Sequence, residues 1–263
     1  YLLYPTPKAS FIMMSMLTEL LDDARQKPLE RAARIAQVSR FESSGITSKM
    51  IQGEFLRLTE QVLQRENNRS LYQQCFQIIE KGVSPEIRRE VAYLFHYEMA
   101  RSYYNQGNYL MAKKYFALAL NEQPNNVELS AILVNSLGLS LRNERNLSAA
   151  ADTLLAYRKR FPILEENNNF NAMLANAYAA CFGAAFEKGK LSEGETFLKK
   201  FEELVASQPQ ISLESEMIGR AYSEAASFYF NKGQKTKARA LIEKGLEFSP
   251  DNRELRLRKQ MIR

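Results

Sequence analysis

The chain has no tryptophan, a single histidine (His96) and two cysteines, Cys75 and Cys181, 106 positions apart. One imidazole and two distant thiols offer no catalytic triad, no Cys-His dyad and no soft metal site. No Cys-x-x-Cys occurs, so neither a zinc knuckle nor a thioredoxin-type centre is present. Phosphate-binding loops, glycine-rich dinucleotide turns and His-Glu-x-x-His are missing too. Carboxylate pairs such as Asp22-Asp23 and Glu202-Glu203 fall on helical stretches and read as solvated faces. No catalytic residue, metal or cofactor is expected. No apolar run reaches the ~18–20 residues of a membrane-spanning helix; the longest is Ala177 to Phe186. The sequence opens on Tyr1 rather than Met, as a trimmed chain would, so an upstream leader or membrane anchor stays open, and with it the compartment, the cytoplasm being favoured.

A strong charge of one sign is also lacking. Thirty-six cationic against 30 anionic side chains give +6. Arg253, Arg256, Arg258, Lys259 and Arg263, less Asp251 and Glu254, account for +3 of that at the C-terminus. Half the excess is a tail, which disfavours nucleic acid as the partner.

What remains is 45% apolar and 25% charged residues, enough for a sizeable core. Glycine and proline, 11 and 8 in number, stand between apolar-periodic stretches and not inside them, which predicts helices. Pro28 suits a first helical turn before Leu29, Ala32 and Ile35, and Gly45 is expected to end that region. Thr47 or Ser48 would cap a helix carrying Ile51, Phe55, Leu58 and Val62. Leu71, Cys75, Phe76 and Ile79 form another stripe up to Gly82, and Ser84-Pro85-Glu86 reads as the next start. Met13, Met14, Met16 and Leu17 read as core. Asn68-Arg69-Ser70 and Asn146-Leu147-Ser148 match a glycosylation sequon too short to carry weight. No run alternates with period two, so no strand is expected.

From about residue 85 a longer period appears. Pro124, Pro162, Pro209 and Pro250 each close a helix pair whose turn centres on Gly107-Asn108, Arg145-Asn146, Gly189-Lys190 or Gly233-Gln234. Tyr93–Asn126 carries His96, Met99-Ala100, Tyr103, Ala112, Phe116, Ala119 and Pro124. The second pair carries Val134, Leu137-Gly138, Leu141, Ala150, Leu154, Tyr157 and Pro162. The last carries Tyr222, Ala225-Ala226, Tyr229, Ala238, Ile242, Gly245 and Pro250. This pattern resembles the tetratricopeptide repeat, a 34-residue helix pair with residues of these kinds at fixed places. Small residues face each other within a pair: Ala100 with Ala112, Gly138 with Ala150, Ala226 with Ala238. The third pair departs, setting Phe182 opposite Gly194 as a volume compensation, or else Gly183 at the close contact. The closing prolines are 38, 47 and 41 residues apart, so some first helices should run long.

The resemblance implies an all-α chain of antiparallel helix pairs stacked as an α-solenoid, a right-handed superhelix. Residues 1–82 form its helical, degenerate or capping part, and residues 83–263 the repeats with a C-terminal capping helix. It further implies a concave groove lined by first helices. Carried over residue by residue, the lining is Leu94, Tyr97, Arg101 and Tyr104; Ile132, Asn135, Leu139 and Arg142; Asn176, Ala179, Gly183 and Phe186; and Arg220, Ser223, Ser227 and Phe230. The candidate contacts are Tyr97, Arg101, Tyr104, Asn135, Arg142, Asn176 and Arg220. Amides can bond a peptide backbone and arginines a carboxylate, so a protein scaffold holding an extended, acidic segment is the expectation. Tyr97, Arg101, Ser136, Asn176 and Ala180 do not reproduce the Lys/Asn/Arg clamp by which one subclass holds chaperone tails. The competing readings are a nucleic-acid-binding repeat, and a regulatory domain of an upstream enzyme or membrane protein.

Overall fold

The computed structural model describes residues 27–39, 45–142, 144 and 146–262. Among them are twelve α-helices and no strand. Their order is α1 (Pro28–Val38), α2 (Gly45–Thr59), α3 (Arg69–Gly82), α4 (Pro85–Asn105), α5 (Tyr109–Glu122), α6 (Val127–Leu141), α7 (Leu147–Arg160), α8 (Asn168–Glu187), α9 (Leu191–Ser207), α10 (Ser215–Asn231), α11 (Lys235–Phe248) and α12 (Arg253–Met261). A π turn, Glu60–Arg65, extends α2, and a 3₁₀ turn, Pro162–Glu166, precedes α8. No helix among the described residues is long and apolar enough to cross a membrane. The methionine-rich stretch at Met13 lies outside them.

Starts and stops follow local chemistry. Asn68, Asn108, Asn126, Asn146, Asn167 and Asn252 each accept an N–H from three residues on, at 2.9–3.1 Å, satisfying a donor the helix leaves orphaned. The sequon asparagines Asn68 and Asn146 are thus helix caps. Three pairs turn identically. The N–H of Asn108, Lys190 and Gln234 reaches back five residues to the carbonyls of Tyr103, Ala185 and Tyr229. That closure needs a left-handed residue, supplied by Gly107, Gly189 and Gly233 at φ 73°, 73° and 76°. Gly45 proves to open α2, placing Thr47 and Ser48 within that helix and not at its cap. Helix α1 stops at Val38 instead, with Ser39 Oγ donating to the carbonyls of Ala36 and Gly82.

The described residues divide into two compact units that meet within α6, at Ser136 and Leu137. In the N-terminal unit α1 packs on α3, and α4 on α5. One apolar core runs from Ala32, Ile35 and Phe55 through Tyr72, Phe76 and Ile79 to Phe95 and Met99. The stretch before residue 83 therefore shares its core with the first consensus pair. Phe76 and Phe95 stack with ring centres 3.9 Å apart. The Arg31–Glu54 ion pair, 2.8 Å, is buried beneath α1 and α2.

His96 is half-buried against rings from both sides, Phe76 of α3 at 6.0 Å and Tyr115 of α5 at 6.3 Å. Helices α3 and α5 thus both press on the imidazole. Its Nδ1 is buried, with no hydrogen-bond partner among the described residues. Burial lowers the imidazole pKa to about 4. The unfolded chain, with its ordinary histidine value of about 6.5, then binds the proton more readily. This group's contribution to stability is complete above that pH and is lost as pH falls through about 4. The lone imidazole gives one histidine signal, so proton NMR of the folded chain should titrate near pH 4. The urea midpoint of the native chain should fall relative to His96→Phe over the same range. A titration midpoint near 6.5 would mean a solvated ring.

In the C-terminal unit α8 packs against both α9 and α10, and α10 against α11. Phe182 meets Phe201 and Tyr222 at 5.7 and 5.4 Å between ring centres. The ring opposite Gly194 is that of Phe186, one turn beyond Phe182; a Cβ at Gly194 would lie 2.9 Å from it. Gly183 instead lets α8 approach α10, where a Cβ would sit 3.0 Å from Ala221 Cα. At Gly138 the neighbour is Met173 Sδ, 3.4 Å from such a Cβ. Outside the aromatic layer, Tyr229 donates to Glu195 at 2.5 Å and Lys237 reaches the same carboxylate at 2.7 Å. Seven residues along each helix the arrangement recurs, with Tyr222 and Lys244 on Glu202 at 3.3 and 2.6 Å.

Candidate functional site

The first helices of the pairs are α4, α6, α8 and α10, and they carry the candidate residues. In the N-terminal unit four of these come together. Tyr104 and Tyr97 both pack edge-on against Phe116 of α5, at 6.4 and 6.0 Å, which fixes their rings. Asn135 Nδ2 of α6 donates to Tyr104 Oη at 2.9 Å, joining α6 to α4. The Arg101 guanidinium lies 5.8 Å from the Tyr97 ring centre. It also pairs with Glu98 on its own helix at 3.0 Å, with half of its side chain exposed. The patch presents two held phenol rings, an exposed amide and a partly neutralised guanidinium.

In the C-terminal unit the candidates are Arg142, Asn176 and Arg220. Arg142 is exposed at the end of α6. Asn176 Oδ1 accepts the backbone N–H of Glu214 at 3.3 Å, which ties the entry of α10 to α8. Its carbonyl is therefore engaged within the fold. Arg220 borders two openings. One is a 220 Å³ cleft between α8 and α10 floored by Ala179, Ala180, Gly183 and Ala184. The other, of 620 Å³, lies between α10 and α12 and is bordered by Glu214, Glu216, Asn252 and Glu254. Ser223, expected in the groove from its place in the repeat, is instead buried, and its Oγ accepts the Arg258 Nε–H at 2.9 Å.

Counting repeat positions therefore finds Ala179, Gly183 and Arg220 around the cleft but omits Glu187 and Glu224, which also line it. Each stands one residue past a counted position, Phe186 and Ser223. The missed signal is that side chains one position on also flank a groove when the helices approach as closely as Gly183 and Ala221 allow. Both cysteines are buried free thiols, pushed up to about 11 by burial and so far from the reactive thiolate form.

A comparison with curated proteins gave no match. A family model, Tetratricopeptide repeat, matches residues 94–126 and 219–252. The first stretch covers α4 and α5, the second α10 and α11. Both carry the Gly turn and the packed alanine pairs, with Ala100, Ala112, Ala226 and Ala238 fully buried. Repeats of this kind generally mediate protein–protein interaction and are typically non-catalytic scaffolds. The chain thus carries tetratricopeptide repeats at these two places, within consecutive helix pairs that are all-helical among the described residues.

Proposed function

We propose that the chain is a protein-interaction scaffold that holds a segment of a partner protein on its first-helix faces, with residues 1–82 as the capping part of the solenoid. The observation that carries this is the patch in the N-terminal unit. Tyr97 and Tyr104 are fixed from beneath, while Arg101 and Asn135 extend from them with exposed polar groups. Rigid aromatics with adaptable polar neighbours lose little entropy on binding. Glu98 beside Arg101 moderates its charge, so hydrogen bonding and ring contact matter there more than net attraction to an acidic segment. Nucleic acid is the weaker reading, because several lysines of the C-terminal unit are already matched by carboxylates. Lys190, Lys199, Lys237 and Lys244 each face a glutamate within 4 Å.

The test is affinity capture with the intact chain against Arg101→Ala/Arg142→Ala and Asn135→Ala variants. Arg101 pairs only within its helix turn and Arg142 is exposed, so the double variant should stay within about 1 kcal/mol of the parent in chemical denaturation. Partners retained by the parent should be lost by the variants. Unchanged capture would move binding to the second-helix faces or the basic C-terminus.

A further inference from the structure

The tyrosine patch of the N-terminal unit has a spacing and a hydrogen-bonding character that the repeat pattern does not foretell. Tyr93, Tyr97, Arg101 and Tyr104 follow one another along one face of α4, at steps of four, four and three residues. Two ridges of rings result. Tyr93 stacks on Tyr97 at 5.8 Å between ring centres, and Tyr104 meets Tyr109 of α5 edge-on at 5.3 Å. Phe116 packs against both ridges, and Arg101 stands between them. None of these tyrosines is buried, and Arg101 and Asn135 are exposed. The hydrogen-bonding groups left over are mostly donors. Tyr104 Oη accepts the Asn135 amide at 2.9 Å, which leaves the Tyr104 O–H and a second Asn135 N–H to donate. Arg101 keeps those N–H groups that do not reach Glu98. The Glu98 carboxylate is buried and engaged by Arg101, so, the tyrosine hydroxyls aside, Asn135 Oδ1 is the acceptor that remains.

We propose that this patch receives a proline-rich segment of another protein in the polyproline II form. The inference rests on the scaffold reading above and gives its partner a chemistry. Ring spacing sets the form. Tyr97 and Tyr104 are seven residues apart, which is about 10 Å along α4, and one three-residue turn of polyproline II advances about 9 Å. Prolines three apart can therefore each meet one ridge, with Arg101 beside the residues between them. The backbone sets the composition. Proline has no N–H, so a proline-rich strand carries more carbonyls than donors, and the polyproline II form bonds none of them internally. A patch rich in donors suits that backbone. A strand of other residues would bring N–H groups for which the patch has few acceptors. Charge complementarity points the same way, because Arg101 and Glu98 offset each other and call for an uncharged ligand. The segment arrives already extended and the rings are already held, so little order remains to be imposed on either side.

The experiment selects binders to the intact chain from a displayed library of random linear peptides, then measures the selected peptides by fluorescence anisotropy. Peptides with prolines three apart are expected. Replacing those prolines by alanine should weaken binding about tenfold or more, as should Tyr97→Leu in the protein. Tyr104→Phe keeps the ring and loses the hydroxyl, and should weaken binding about three- to tenfold. Affinity should change less than about twofold as salt rises about tenfold, since no ion pair is gained. Far-ultraviolet circular dichroism checks the fold of each variant, and Tyr104→Phe keeps the test decisive if Tyr97→Leu unfolds. Peptides without proline, acidic ones included, that these variants weaken would overturn the proposal while keeping the patch. Peptides indifferent to both variants and to Arg101→Ala/Asn135→Ala would overturn the patch itself. No enrichment would overturn the proposal, with the capture experiment above still deciding the scaffold reading. Self-association abolished by Tyr97→Leu would overturn it too, by making the occupant a second copy.

Discussion

Tyr222→Ala is expected to lower the free energy of unfolding by about 3–5 kcal/mol, the cost of emptying a large aromatic site in a packed core. The side chain is fully buried. Its ring meets Phe182 at 5.4 Å, Phe248 at 5.9 Å and Phe201 at 6.1 Å, so it binds four helices of the C-terminal unit into one layer. Its hydroxyl donates to Glu202 at 3.3 Å. Tyr222→Phe keeps the ring and loses that one bond, so its cost should be about 1 kcal/mol. Urea denaturation followed by far-ultraviolet circular dichroism separates the two. A loss under about 1 kcal/mol for the alanine variant would mean that the neighbouring helices collapse onto the gap, or that the layer is not formed.

Gly245→Leu should be comparably damaging through the opposite fault. A Cβ added at Gly245 would lie 2.7 Å from Tyr222 Cβ and 2.8 Å from Leu255 Cδ1. The Leu255 methyl can turn away, but the Tyr222 Cβ is bound to the backbone of α10, so that helix must move. A whole leucine side chain there should cost about 3 kcal/mol or more in the same denaturation assay. Gly245→Ala sets two effects against each other. Alanine gains about 1 kcal/mol in helix propensity over glycine, while the clash costs about 1–3 kcal/mol. A net loss is expected, and a net gain would show that α11 and α10 can separate cheaply.

These two sites also show what the sequence discloses and what it conceals. The Gly turns, the alanine pairs and the closing prolines are local or strictly periodic, so residues 94–126 and 219–252 were legible as repeats from the chain alone. Gly245 entered the pattern as one of its small residues, without the reason for its being glycine. That reason is Tyr222 Cβ of α10 together with Leu255 of α12, which leave no space for a methyl. Tyr222 lies within the same repeat, but Leu255 lies beyond it, where no repeat pattern reaches. Gly194 was misassigned for a similar cause: counting put Phe182 opposite it, but the ring of Phe186 swings back over the preceding turn, as helical side chains do. At the candidate site, periodicity found the faces but not their charge balance. Whether a carboxylate is matched depends on which lysine of another helix reaches it, and Glu195 with Lys237 are 42 residues apart. Arg101 read as a free cation because nothing in the repeat pattern shows that Glu98, one turn away, folds onto it.

The doubled Tyr-Glu-Lys contact on α9, α10 and α11 has a bearing on register. Seven residues make two helical turns, so Glu195 and Glu202 lie on one line along α9, as do Lys237 and Lys244 on α11 and Tyr229 and Tyr222 on α10. Two marks on each line define a ruler. If α9 slid by one turn, about 5.4 Å, both carboxylates would come to rest between marks and lose both partners. A slide of two turns would let one carboxylate find the wrong lysine and tyrosine and leave the other with none. Only the native alignment satisfies both rows. The aromatic layer beneath holds the helices together but tolerates small sliding, because rings present much the same surface to a neighbour shifted along the axis. Cohesion and alignment are thus assigned to different layers of the same three helices. The outer layer, worth little as isolated ion pairs, sets where α9 and α11 stand along α10.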